Sequence, residues 1–393
     1  MNKRRYDIDA LRSIALFLLI FYHLGQSFTY NARNILFVQD KRPGDDIWIL
    51  LNLLNSWRIP LVFLIAGIAL RLSFSKRSQA IILKERLKVL GIPWVFGSLV
   101  FASSSAYITG RFYGYPFFNE LSNLIPFVFE YNGLHMWFVL YILIFSLITI
   151  PFLKIISNTK EKDTIFSKIL NTPGGIFLFS IPVILEGQLL NELRFDFTID
   201  YGDFYQVYAN TSHGFFLGFI WFLLGVILTS QGDAFWESNK RNWKIHLALG
   251  SLSYLYRLFN EFESGYALDN RLIAFESFNF IFLMLGLGAL YLNKDSPQLT
   301  YYKTAVYPVY IVHLPVQMLL MFYFSKINLH PVFKFSIALF LICFLSLTIY
   351  HAVKNSKYLR PLFGLRNNNT NWNACNKRAF LIGGPLHYYL LRM

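Results

Sequence analysis

Residues 6–25 read YDIDALRSIALFLLIFYHLG, and this stretch decides the fold. Lys3, Arg4 and Arg5 precede it, and its apolar run from Ile14 to Gly25, with its flanks, is long enough to cross a hydrocarbon core of about 30 Å. A cleavable leader would carry a small-residue cleavage site after such a run. None follows, Arg12 stands just before the run and His23 interrupts it, so it reads as a retained first span. On a helix Asp9, Arg12, Leu16, Leu19 and His23 are three or four residues apart in turn, which stacks them on one stripe. From Arg12 to His23 that stripe climbs about 16 Å, from the basic edge of the membrane to near its midplane.

Working outward, similar apolar runs recur along nearly the whole chain. Of 393 residues 55% are hydrophobic, 19% aromatic and only 15% charged, against about 25% charged in soluble domains. The mean hydropathy is +0.42. Spans are expected over residues 10–30, 47–70, 89–108, 134–153, 175–190, 213–231, 244–260, 272–292, 303–324 and 332–353. The fifth is interrupted by Pro182 and Glu186, and the seventh is made polar by His246, Tyr254 and Arg257. The expected fold is therefore all-α, a polytopic transmembrane bundle of about ten spans, with a membrane domain over 1–366 and a tail over 367–393.

The net charge of +14 does not mark a nucleic-acid binder, because the basic residues are spread between apolar runs and not gathered on one soluble face. Most of the 36 fall in alternate inter-span segments. These include Lys3 to Arg5, Arg71 to Lys88, Lys154 to Lys168, and Lys354 onward. Because cytoplasmic loops carry the excess of Lys and Arg, this alternation places the N-terminus in the cytoplasm. The two cysteines, Cys343 and Cys375, have no spacing suited to a metal or a disulfide framework. No phosphate-cradling glycine loop, serine-nucleophile elbow or acidic metal cluster is evident.

Ionisable groups inside spans are costly and usually face a bundle interior or wet cavity. A cation at the cytoplasmic end of the first helix can hold a phosphorylated or carboxylated donor, and a deep imidazole can act as a general base. Arg12 can equally serve topology alone, and His23 a structural hydrogen bond. His313, followed by Pro315, lies mid-way along the ninth span. Arg58 and Pro60 open the second span, and His135 and Trp137 the fourth. Lys84, Arg86 and Lys88 form a basic cluster that can bind donor phosphates, bind anionic lipid or fix topology.

Five motifs in order resemble those of the acyltransferase-3 family of integral membrane acyltransferases. They are YDIDALRSIALFLLIFYHLG, WRIPLVFLIAGIAL (57–70), ERLKVLGIPWVFG (85–97), GLHMWFVLYIL (133–143) and VYPVYIVHLPVQ (306–317). Asp9, Leu11, Arg12 and His23 fall on the family's first-helix signature. The His-Met-Trp-Phe opening of the fourth span looks most like the glucan succinyltransferase-like branch. Ala66 stands where a serine is frequent, and the segment after about Asn367 matches nothing in the pattern.

The resemblance implies O-acyl transfer, acetyl or succinyl, from cytoplasmic acyl-CoA (acetyl-CoA or succinyl-CoA) to a hydroxyl of an extracytoplasmic sugar or glycan. The setting it implies is a bacterial-type plasma membrane. Arg12 and His23 become the expected catalytic pair, with Asp9 orienting Arg12 and His313 an added site residue. Arg86, with Lys84 and Lys88, is expected on the donor, and Arg58 and His135 on the acceptor side. The alternative is a transporter or exporter of a glycan or lipid-linked precursor, since midplane polar residues serve transport equally well.

Overall fold

A computed structural model describes residues 4–44, 47–74, 77–157, 164–193, 201–202, 204–264 and 269–365; the expected tail over 367–393 lies outside these. Every regular element among the described residues is helical, with no strand. Among the described residues, nine helices are long and apolar enough to cross a membrane: α1 (Tyr6–Gln26), α2 (Trp48–Phe74), α3 (Gln79–Tyr113), α4 (Leu121–Ile156), α5 (Gly175–Leu193), α6 (Ser212–Thr229), α8 (Asn270–Leu292), α9 (Pro297–Phe324) and α10 (Pro331–Asn355).

The seventh expected span corresponds to α7 (Asp233–Ser264), which is long but too polar to qualify with the other nine. Its polarity is resolved by pairing inside the bundle. Arg257 reaches α8 through Nε and Nη2, which donate to the two carboxylate oxygens of Glu276 at 2.7 and 2.8 Å; both side chains are fully buried. Nη1 of Arg257 donates to Asn52 Oδ1 on α2 at 2.7 Å, and His246 bonds Asn279 at 3.0 Å. Charge that made this span look doubtful is what joins it to α8, along which it packs for most of its length.

Close approach elsewhere relies on glycine. A Cβ on Gly67 of α2 would stand 2.0 Å from the Phe222 carbonyl oxygen of α6, and one on Gly225 of α6 would stand 2.2 Å from the Leu64 carbonyl oxygen. Small residues facing each other let two membrane helices approach nearly backbone to backbone. α1 lies between α2, α9, α10 and the end of α8, so its polar stripe is enclosed by other helices.

Three departures from regular α-helix matter to the interior. α3 contains π-helical turns at Leu87–Gly91 and Ser98–Ala102, on either side of Pro93, so the helix is rewound just after Arg86. α4 is broken at 131–133, where Asn132 and Gly133 take positive φ, before a 3-10 turn, Leu134–Met136, that carries His135. α2 and α9 contain Pro60, Pro308 and Pro315.

Candidate active site

One continuous cavity of about 1890 Å³ runs through the bundle. At the end where α1, α3 and α9 begin and α10 finishes, its wall carries Arg12, Arg86, Lys303, Lys354 and Arg360, together with Tyr301 and Tyr307. At the opposite end it is lined by amides: Asn31 and Asn34 after α1, Asn52 and Asn55 on α2, Gln206 and Asn210 before α6. Arg58 also lines it, and among the described residues no carboxylate does.

Arg12, Leu16, Leu19 and His23 all face this cavity, as the stripe on α1 predicts. Asp9 stays outside the lining; its carboxylate stands 3.7 Å from Arg12 and 3.0 Å from Arg4, so two cations share it. Of the basic cluster only Arg86 reaches the wall, while Lys84 and Lys88 are exposed and turned away. The cations that join Arg12 and Arg86 come instead from α9, α10 and the segment after α10. In sequence these are ordinary basic residues at helix ends, and no signal there marks them as lining.

His313 lies behind His23 and not in the cavity lining. Its Nε2 is 3.0 Å from Nδ1 of His23, with the two ring planes 14° apart. Its Nδ1 is 2.6 Å from the Tyr310 carbonyl oxygen, which can only accept. For neutral rings this fixes every proton: His313 carries its hydrogen on Nδ1, its Nε2 accepts from Nδ1–H of His23, and His23 is left with a lone pair on Nε2. That Nε2 has no hydrogen-bond partner among the described residues. α1 is held here as well by Gln317, whose amide donates to the His23 carbonyl at 2.8 Å and to Ser27 Oγ at 3.2 Å.

His135 completes the group edge-on to His313, with centroids 5.9 Å apart and planes at 90°. Its fixing follows from Pro315, which has no N–H to give the Ile311 carbonyl one turn back. That carbonyl is taken by His135 Nε2–H at 3.2 Å, leaving a bare Nδ1. Pro60 acts alike: the Ser56 carbonyl it leaves free accepts from Tyr208 Oη at 3.1 Å, which ties the 204–211 strap to α2. Though three imidazoles gather, among the described residues no three His, Cys, Asp or Glu side chains are placed to hold a metal ion.

The amide-lined end is a fastened structure. Asn55 donates to the Gln206 carbonyl at 3.0 Å, and Gln206 Nε2 to the Asn52 carbonyl at 2.9 Å. Beneath them His213, wholly buried, meets Glu186 through Nδ1 at 2.5 Å and the Tyr205 carbonyl through Nε2 at 2.9 Å. On the other wall, buried Lys334 of α10 bonds Asp40 and holds the segment after α1. Asp40 is thus placed in the interior.

Together these features define a multi-pass integral membrane protein with an imidazole centre inside a cavity that crosses the helical bundle. The acyltransferase-3 family model, described as an acyltransferase domain, matches residues 5–351, and the chain belongs to that family. It is a membrane acyltransferase. Neither the curated proteins nor the solved structures contain a match to it.

Proposed function

We propose that the protein moves an acetyl or succinyl group from acyl-CoA in the cytoplasm to a hydroxyl of a sugar or glycan on the far side of a bacterial-type plasma membrane. The observation that carries this reading is the continuous cavity joining a cationic, tyrosine-bearing end to an amide-lined end, with the free Nε2 of His23 between them. Guanidinium and ammonium groups suit the phosphates of a nucleotide donor. Asn and Gln side chains, which donate and accept, suit vicinal hydroxyls.

In the reaction the acceptor hydroxyl oxygen attacks the thioester carbonyl carbon while His23 Nε2 takes its proton. The tetrahedral intermediate collapses with loss of the C–S bond, and the proton on Nε2 passes to the departing thiolate. Charge that appears on the His23 ring is stabilised through Nδ1–H by His313 Nε2, whose orientation the Tyr310 carbonyl fixes. Arg12 and Arg86 hold the donor on the cytoplasmic side, with Asp9 beside Arg12.

The test is transfer of radiolabelled acetyl or succinyl groups from the CoA thioester to glycan in membranes. His23→Ala should lower transfer by about 10²- to 10⁴-fold, and Arg12→Ala should raise the donor KM. Wild-type acylation in both variants would sink the proposal. Glycan flux into vesicles lacking any acyl donor would favour an exporter instead.

A further inference from the structure

Arg58 is 1% exposed, lines the cavity, and has no carboxylate partner. Its guanidinium lies over the Tyr22 ring at 4.1 Å, and Nη1 donates to the Leu18 carbonyl at 3.3 Å. Nε and Nη2 have no acceptor. These two N–H groups form the side-on edge of the guanidinium, whose parallel hydrogens match the two oxygens of a planar anion.

Elsewhere the same protein shows what that edge binds. Arg5 holds Asp7 and Arg257 holds Glu276, each through Nε and Nη2 on the two carboxylate oxygens, and Arg271 brings the same two groups to Oδ2 of Asp269. In Arg58 the edge is as buried as that of Arg257, and it is empty. Taking a guanidinium out of water costs several kcal/mol unless a counter-charge meets it, and the described residues supply none. Tyr22, against which it stacks, precedes His23, so the empty edge lies within the wall around the imidazole centre.

We propose that Arg58 is a carboxylate receptor in the middle of the cavity, occupied by a substrate and never by the protein itself. The carboxylate comes from one of two sources that share this chemistry: the far end of a dicarboxylic acyl group such as succinyl, or an acidic sugar of the acceptor. A turn about the terminal torsions of Arg58, which gives up the long bond to Leu18 and part of the stacking on Tyr22, would bring the edge to the ligand. The assignment rests on the acyl-transfer reading for the names of the ligands, but it is tested by binding and does not need turnover.

The experiment uses the full chain, purified into nanodiscs, and two ligand pairs that differ by one carboxylate: succinyl-CoA against acetyl-CoA, and a uronic acid oligosaccharide against its neutral counterpart. In the wild type one pair should favour its acidic member by about tenfold or more. In Arg58→Gln that ratio should fall toward one. Arg58→Lys, which keeps a charge but loses the planar fork, should restore only part of it, and this separates recognition from a general folding defect. The pair that responds names the source. If neither pair shows a preference in the wild type, or if Arg58→Gln keeps the preference, the assignment is overturned. Absence of any acyl-CoA binding alongside a preserved, Arg58-dependent uronate preference would overturn the donor reading while upholding the carboxylate site.

Discussion

Replacing His313 by glutamine and by leucine separates its role from that of His23. A glutamine carbonyl can still accept from Nδ1–H of His23 and keep the lone pair on Nε2; a leucine cannot. His313→Gln should retain clearly more transfer than His313→Leu, with both above His23→Ala, and equal rates for the two His313 variants would remove the tautomer argument. The two buried arginines give a second contrast. Arg257→Met strands Glu276 without its partner and should cost about 3–5 kcal/mol of stability. Arg58→Met removes a buried cation that has no carboxylate, so the empty protein should melt no earlier than the wild type, and a drop of similar size would show that Arg58 has an internal partner after all. His23 could be read from the sequence because its relation to Arg12 lies within one helix and obeys the 3.6-residue repeat. Its relation to His313 spans 290 residues and obeys no local rule, so sequence placed both residues in spans without showing that they touch.

At the scale of the helix, departures from regularity free carbonyls for side chains of the interior. Pro315→Ala restores an N–H to the Ile311 carbonyl, in competition with His135. The expected outcome is a more stable α9 and slower transfer; a variant that is both more stable and fully active would take His135 out of the site. Gly67→Ala forces a methyl group into the Phe222 carbonyl and should cost about 1–3 kcal/mol by overpacking. The start of α8 is capped by Asp269, whose carboxylate accepts from the Arg271 backbone at 2.9 Å and from Asn191 at 2.6 Å. Chiefly its hydrogen bond with the Arg271 side chain lowers its pKa from 3.8 to about 2. A depressed carboxylate stabilises the fold above its ordinary pKa, and that contribution is lost as pH falls through about 2. Asp269→Asn should therefore flatten the acid limb of a melting curve measured between pH 4 and pH 2. Hydropathy placed ten spans, nine of which fall on the helices among the described residues that are long and apolar enough to cross a membrane, because apolar length is a local property. It left α7 in doubt because the compensation for Arg257 lies on α8 and α2, and Glu276 carried no mark in the sequence to announce it.

Across the whole molecule, the order of basic segments gave an orientation, and the cavity now gives that orientation a use. Its cationic wall is assembled from α1, α3, α9, α10 and the segment after α10. Lys303, Lys354 and Arg360 were not separable in sequence from residues that merely obey the charge rule, because both kinds occupy helix ends on the same side. The amide wall was equally hidden: asparagines in outer loops are common, and only the folded strap over 204–211 and the segment after α1 bring them together.

A cavity that crosses a helical bundle in a membrane, with reactive groups at its centre, could let small ions follow it from one face to the other. Here the passage is fringed by fixed positive charge without a lining carboxylate among the described residues, and an electropositive pore repels hydronium and sodium. The arginines and lysines along that wall therefore disfavour cations in the cavity, so that a route to the imidazole centre need not be a leak for sodium or hydronium.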